Sequence, residues 1–199
     1  MPKTCNHTAK AEYILTKGLD VVWSKGYNGA SVNDIVKVAD IPKGSFYFYF
    51  KSKEDFVIKA LERYFDQTMA ACLPHLEDTS ISAKQRIINF CDSKIELLRM
   101  DIDNCVKGCL ACNLSGEMAE QNENIRSFIV EKEEIIYRLL IKAAYEAQED
   151  GDIAASMNIP DVIAFIEDAF KGSMVSMKSK RSIDPVLNVL NMTKHVLFG

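Results

Sequence analysis

The chain has 199 residues, 48% of them hydrophobic, enough to bury a core in one or two compact domains. Its formal net charge of −4 hides an asymmetry: residues 1–53 carry eight lysines against four acidic residues, a net of +4, and the remainder sixteen basic against twenty-four acidic, a net of −8. Apolar runs are short and no basic stretch leads into one at the start, so the expectation is a cytoplasmic protein without a membrane span, its six cysteines reduced thiols rather than a disulfide framework.

Periodicity predicts an all-α chain. Ile14, Leu15, Leu19, Val22 and Trp23 form the apolar face of a first helix, with Gly26 as the signal for its end. Ser31 is placed to cap a short helix from Val32 to Val38, with Asp34 in the first turn where the helix dipole favours negative charge. Ala39-Asp40-Ile41-Pro42 is long enough only for a tight turn, and a third short helix follows from Gly44 to Phe50. Ser52 caps a long fourth whose face runs through Phe56, Leu61, Tyr64, Phe65 and Met69. Two short helices joined by a tight turn, inside a basic segment, describe a helix-turn-helix unit that meets a polyanion, although +4 is also within the range of ordinary surface charge.

The stretch KGSFYFYFKSK, Lys43 to Lys53, interleaves rings and positive charge. On a helix Phe46 and Phe50 stand at i and i+4 and face a small core, while Lys43, Ser45 and Tyr47 point elsewhere. Together with Ser31-Val32-Asn33-Asp34-Ile35-Val36-Lys37-Val38-Ala39-Asp40-Ile41-Pro42, which precedes it without a gap, this segment resembles the DNA-binding signature of the TetR (tetracycline-repressor-like) family. The resemblance implies an N-terminal helix-turn-helix domain at 1–53 and a larger helical ligand-binding and dimerisation domain at 54–199. It implies a homodimer formed through the last two helices, a double-stranded operator as partner, a small-molecule inducer, and neither a cofactor nor a bound metal. Residue by residue, it assigns Pro42, Lys43, Gly44, Ser45 and Tyr47 to the surface that meets the major groove, and Ser31, Tyr49 and Lys53 to phosphate contacts. Asp40 stands where the family often has glycine, and aspartate tolerates the left-handed conformation such a turn needs.

Beyond residue 54 the apolar stripes are Ile87, Cys91, Ile95, Leu98 and then Ile125, Phe128, Ile129, Ile136, Leu139, Leu140, Ala143. Pro160-Asp161 opens one further helix, and Asp184-Pro185 is read as the N-cap and first residue of the last. Gly172, Ser173, Met174 and Met177 suit either a dimer interface or ordinary core gaps. Phe65, Met69, Met100, Leu114, Met118, Phe128, Tyr137 and Phe165 are the candidate lining of a ligand pocket, from apolar faces that serve equally well as core.

Cys105, Cys109 and Cys112 fall on one stripe if their segment is helical, a small-residue face or a cluster of thiols. Gly108-Cys109-Leu110 with Asn113-Leu114 resembles the subset of the family that includes electrophile- and oxidant-responsive repressors. That makes Cys109 the expected reactive thiol, with Cys105 or Cys112 to resolve it. The competing readings are a metal-binding, cysteine-rich helical sensor and a thiol-dependent enzyme. Against the latter, the histidines match no metalloenzyme pattern, there is no P-loop or dinucleotide-binding glycine pattern, and the CxxC at 109–112 lacks a βαβ setting.

Overall fold

The computed structural model describes the backbone of residues 3–102 and 107–199, and the side chains of residues 8–99 and 107–199. Every regular element among them is a helix: α1 (Lys3–Gly29), α2 (Val32–Val38), α3 (Lys43–Tyr49), α4 (Lys53–Glu77), α5 (Ala83–Ile102), α6 (Leu110–Met118), α7 (Glu123–Glu149), α8 (Ile159–Lys180) and α9 (Asp184–Phe198). None of the helices among the described residues is long and apolar enough to cross a membrane. Packing divides the chain into two compact units, Met1–Phe65 with Asn113–Ile129, and Asp66–Cys112 with Val130–Gly199.

In the first unit α2 forms where its cap places it, and α3 runs from Lys43 to Tyr49, one residue earlier at each end than predicted and without a side-chain cap. The Ser31 hydroxyl accepts from the Asp34 amide at 3.1 Å while the Asp34 carboxylate accepts from the Ser31 amide at 2.9 Å, a reciprocal capping box. Ser52 likewise accepts from the Asp55 amide at 3.0 Å and opens α4. Asp40 adopts φ 49°, the left-handed turn expected between α2 and α3. Phe46, Phe50 and Phe56 are buried against one another with ring centroids 5.0–5.7 Å apart, and Ile14, Ile35 and Leu61 complete the core.

The end of α1 differs from the sequence reading. Gly26 interrupts the helix, at φ 74° and ψ −179°, and the chain then resumes one further helical turn closed by the Ala30 amide on the Gly26 carbonyl. Tyr27 and Asn28 lose their helical carbonyl partners at the break, and the Glu117 carboxylate from α6 takes both amides at 2.7 Å. Glycine is required there twice over. The conformation is essentially closed to side chains, and a Cβ would sit 2.4 Å from Glu117 Oε2.

The second unit packs the later half of α4, α5, most of α7, α8 and α9 around Ile87, Phe90, Ile95, Leu140, Ile163, Ile166, Val186, Leu190 and Leu197. Cys72 and Cys91 belong to this core. So do Ser173, Met174 and Met177, which settles their two readings in favour of packing within the chain. The start of α9 is a correction: Ile183 holds the cap position and Asp184 is already the first helical residue, its amide bonded to the Ser182 hydroxyl. Carboxylate charge in the first turn still complements the dipole from that position.

Replacing Gly26 by Ala should lower stability by about 2–3 kcal/mol in urea unfolding, from backbone strain plus the displaced carboxylate. Asp40→Gly, which relieves a milder left-handed strain, should be neutral or stabilising in the same measurement.

Candidate functional site

Helix α3 has more exposed chemistry than its packing needs. Phe46 faces the core and Phe50, just past the helix end, joins it, whereas Pro42, Lys43, Gly44, Tyr47 and Phe48 are exposed and Ser45 and Tyr49 half-buried. A Cβ built on Gly44 would meet nothing within 4 Å, so its side faces open space where a partner's backbone can approach closely. Phe48, 70% exposed, is a residue the sequence reading passed over. Helical spacing turns Phe46 and Phe50 inward, but leaves Phe48 undecided until α3 packs against α2 and Phe56 of α4. An exposed phenyl between two tyrosines and beside lysines offers apolar contact of the kind a thymine methyl provides, next to donors for phosphate and base edges.

Two residues assigned to phosphate contacts are engaged inside the unit. The Ser31 hydroxyl belongs to the capping box and also donates to Asp34 at 2.5 Å. Hydrogen bonds from Lys25 and then Ser31 hold the Asp34 carboxyl well below the usual carboxylate range. Lys53 donates to the carbonyls of Tyr27 at 2.9 Å and Ala30 at 3.2 Å, and its ammonium lies 4.2 Å from the Tyr27 ring centre. It fastens the carbonyl end of the same single turn whose amide end Glu117 holds.

A second tie joins the start of α4 to the corner before α7. Glu54 accepts from the side-chain amides of Asn124 at 2.7 Å and Asn122 at 3.0 Å, and these two bonds, Asn124 first, lower its carboxyl from the ordinary value. Asn122 also caps α7 through the Ile125 amide at 2.9 Å. Neither Glu117 nor these asparagines were foreseen, because their partners lie 68 to 90 positions away in the chain.

The thiols separate into two kinds. Cys72 and Cys91 are buried, and burial raises both, Cys91 to about 11. Cys109 and Cys112 are half-buried and adjacent in space. Gly108, at φ 72°, turns the chain so that Cys109 immediately precedes α6, and its sulfur accepts the Cys112 amide at 3.4 Å. The Cys112 thiol donates to the same sulfur; that bond, then burial, then the negative charges at Cys109 and Glu133 hold Cys112 far above the ordinary thiol range, against the pull of Lys171. The Cys109 sulfur thus lies at the start of α6, against the backbone amide of Cys112. Cys105 lies outside the described residues. No group of three or more His, Cys, Asp or Glu among the described residues is arranged to hold a metal ion.

The candidate pocket residues do not form one described cavity. Phe65 and Phe128 meet edge to face in the first unit with ring centres 6.3 Å apart, where Leu114 and Met118 are also buried. In the second unit Tyr137 donates to the Pro160 carbonyl at 3.2 Å, Met69 is half-buried, and Phe165 is 65% exposed on α8. The Met100 side chain lies outside the described set. A cleft in the second unit is lined instead by Phe90, Cys91, Lys94, Ile163, Glu167 and Phe170, among others, with space for little more than a water molecule. Lys94 fills its polar side, 3.3 Å from Glu167 and 4.0 Å from the Phe170 ring centre.

Comparison with known proteins agrees with this layout. The family model described as bacterial regulatory proteins, tetR family, matches residues 14–60, and the tetracyclin repressor-like C-terminal domain matches residues 83–192. Over 96% of its length the chain is 31% identical to the HTH-type transcriptional repressor DhaR of Mycobacterium sp. (strain GP1), covering 93% of that protein. It is 25% identical to the HTH-type transcriptional repressor NemR of Escherichia coli (strain K12), over 99% of this chain and 98% of the other. The crystal structure of the reduced form of E. coli NemR superposes with a TM-score of 0.78, covering 94% of this chain and 97% of that one.

Replacing Lys53 by Met keeps the aliphatic stem and removes the donors. In the absence of nucleic acid it should cost about 1–3 kcal/mol in denaturant unfolding. A loss seen only in nucleic-acid binding would mean that Lys53 acts on phosphate alone.

Proposed function

The chain belongs to the tetR family of bacterial regulatory proteins and is a DNA-binding transcriptional regulator, and from that premise we propose that it is a homodimeric repressor released from a pseudo-palindromic operator by a ligand or by modification of Cys109. The observation that carries the DNA reading is the outward face of α3, where Lys43, Gly44, Tyr47 and Phe48 stand exposed on a helix whose inner residues already satisfy the core. Lys43 and Ser45 donate to base edges, Phe48 meets a thymine methyl, Tyr47 enters the major groove beside them, and Tyr49 holds the register on phosphate. The basic balance of residues 1–53 favours approach to the polyanion, while the acidic remainder does not compete for it.

The dimer rests on α8 and α9. Phe165 and Val175 on α8 and Met192 and Val196 on α9 are large, apolar and exposed, with Gly172 open between them. Two such helices from each protomer make a four-helix interface. It sets the two recognition helices in successive major grooves, roughly 34–36 Å apart in simple dimers of this kind and wider in some members of the family.

Release is proposed to run along α6. This nine-residue helix has Cys109 and Cys112 at its start and, near its end, the Glu117 carboxylate that holds the turn before α2. A change at the sulfur that shifts the helix by a fraction of a turn is felt at Tyr27 and Asn28 without an intermediary. Ligand and operator then weaken each other's binding by the same factor. That relatives are named repressors supports the sign of the response.

Fluorescence anisotropy on a fragment of the regulated promoter tests the reading. Tyr47→Ala should weaken binding at least about tenfold without changing the oligomeric state, and the binding itself should fall steeply with added salt. A quinone or hypochlorite should release the wild type but not Cys109→Ser; equal release of both would remove Cys109 from the mechanism. Phe165→Glu, examined by sedimentation, should give monomers with weakened operator binding. A dimer that survives this charge at its centre would place the interface elsewhere.

A further inference from the structure

The cleft of the second unit encloses a positive charge on several sides. Lys94 of α5 donates to the Glu167 carboxylate of α8 at 3.3 Å, and the same nitrogen lies 4.0 Å from the centre of the Phe170 ring and 4.6 Å from that of Phe90. One carboxylate and two phenyl rings therefore share a single ammonium. The pair is withdrawn from water: the Lys94 and Glu167 side chains are 12% and 19% exposed, against 40% for Lys171 and 28% for Lys194 in other ion pairs of this unit. The rest of the lining is almost wholly apolar, with Ile163, Leu190 and Leu197 prominent, and the Thr193 hydroxyl in it donates to Val189 of its own helix at 2.9 Å. Free space beside the ammonium amounts to about one water molecule. The parts of this cage are unequally fixed. Phe90 is buried in the core, Phe170 packs against that core, and Glu167 sits one position from buried Ile166 on α8. Lys94 enters on a long flexible stem, along which lysine readily carries its charge out to water. The carboxylate and rings are the wall, and the ammonium is the occupant that can leave.

We propose that this cage is a binding site for a small primary alkylammonium, a monoamine with an apolar body, and that Lys94 is its tethered surrogate, displaced to solvent when such a ligand enters. The exchange keeps Glu167 paired and both rings against a cation. An anionic or neutral ligand in the same space would leave the mostly buried carboxylate without a counter-charge, which is the costly way to break such a pair. A polyamine is disfavoured for the converse reason, since its second charge would lie among Ile163, Leu190 and Leu197 with no carboxylate to meet it. The volume vacated by the lysine stem, together with the free space beside it, suits a short alkyl chain of similar length. Because Lys94 is tethered, it competes at high effective concentration, and a ligand must win through the apolar contact its body adds. Lys94 also ties α5 to α8 through the cage. A free amine fills the cage without that tie, so the link between the two helices is lost while the buried charge stays satisfied. As an inducer site this rests on the reading of the protein as a ligand-released regulator; as a binding site it does not.

The test uses the full-length protein with n-pentylammonium chloride and n-pentanol, probes nearly alike in shape and different in charge, at neutral pH and matched ionic strength. Thermal unfolding is the readout, since a ligand of the folded state raises the melting temperature. Wild type should be stabilised by millimolar pentylammonium and not by pentanol, and Glu167→Gln, which keeps Lys94, should abolish the difference. Lys94→Ala empties the cage and removes the competitor. It should bind n-propylammonium, which matches the lost stem, at least about tenfold tighter than n-propanol by calorimetry, and adding Glu167→Gln should erase that preference. Equal responses of the wild type to ammonium and alcohol, or a preference that survives Glu167→Gln, would overturn the inference, and this arm decides it if Lys94→Ala does not fold. In the anisotropy assay pentylammonium should release the operator from wild type and not from Glu167→Gln. Glu167-dependent binding of the amine that leaves the operator bound would uphold the site and overturn its part in ligand release.

Discussion

Five residues, Gly26 to Ala30, carry the constraint on which the N-terminal unit depends. They form a single helical turn cut from α1 by the left-handed glycine. A carboxylate, Glu117, closes its amide end, and an ammonium, Lys53, closes its carbonyl end. Each charge sits where the dipole of the turn favours it. A single turn is too short to be stable by itself, because nucleation fixes several dihedral angles for one hydrogen bond. The two side chains supply what propagation supplies in a longer helix. Since Ser31 follows at once and caps α2, the direction of the whole helix-turn-helix is set at this point.

The energy in that clamp is modest, which suits a regulator. Charge-assisted hydrogen bonds contribute about 1.5–3 kcal/mol each in favourable settings and less where water competes, as it does around exposed Asn28. A device held by a few such bonds can be shifted by a comparable change elsewhere on α6. A clamp built into the phenylalanine cluster of Phe46, Phe50 and Phe56 would be beyond the reach of a small ligand, because deleting one buried ring costs about 3–5 kcal/mol. Most of the unit's stability is therefore placed in the phenylalanine cluster rather than in the clamp.

The cysteines show the same division of labour within one residue type. Cys91 and Cys72 are enclosed by aliphatic and aromatic neighbours, and burial keeps them neutral and inert. Cys109 and Cys112 differ in being half-buried at a helix start, with amide and thiol donors directed at one sulfur. Spacing along the chain already set Cys91 on an apolar stripe and Cys105, Cys109 and Cys112 in a separate cluster. Burial separates Cys72 and Cys91, enclosed in the core, from Cys109 and Cys112 at its edge.

What the sequence by itself determined is local. The capping box of Ser31 and Asp34, the Ser52 cap, the left-handed Asp40 and the inward Phe46 and Phe50 follow from interactions within about four residues, and periodicity with turn chemistry was enough to place them. Long periodic stripes also gave the core faces of α5 and α7. Only the tertiary structure decided which of two equivalent apolar faces turns inward. Met174 and Met177 went to the core while Phe165 and Phe48 stayed outside, a choice made by neighbouring helices that no local pattern encodes. It also decided that Lys53 serves carbonyls across 26 and 23 residues and that Gly26 breaks α1 instead of ending it, since a carboxylate from 90 positions away is needed to take the freed amides. A charged side chain carries no mark of its partner; proximity supplies it, and proximity exists only once the chain has folded.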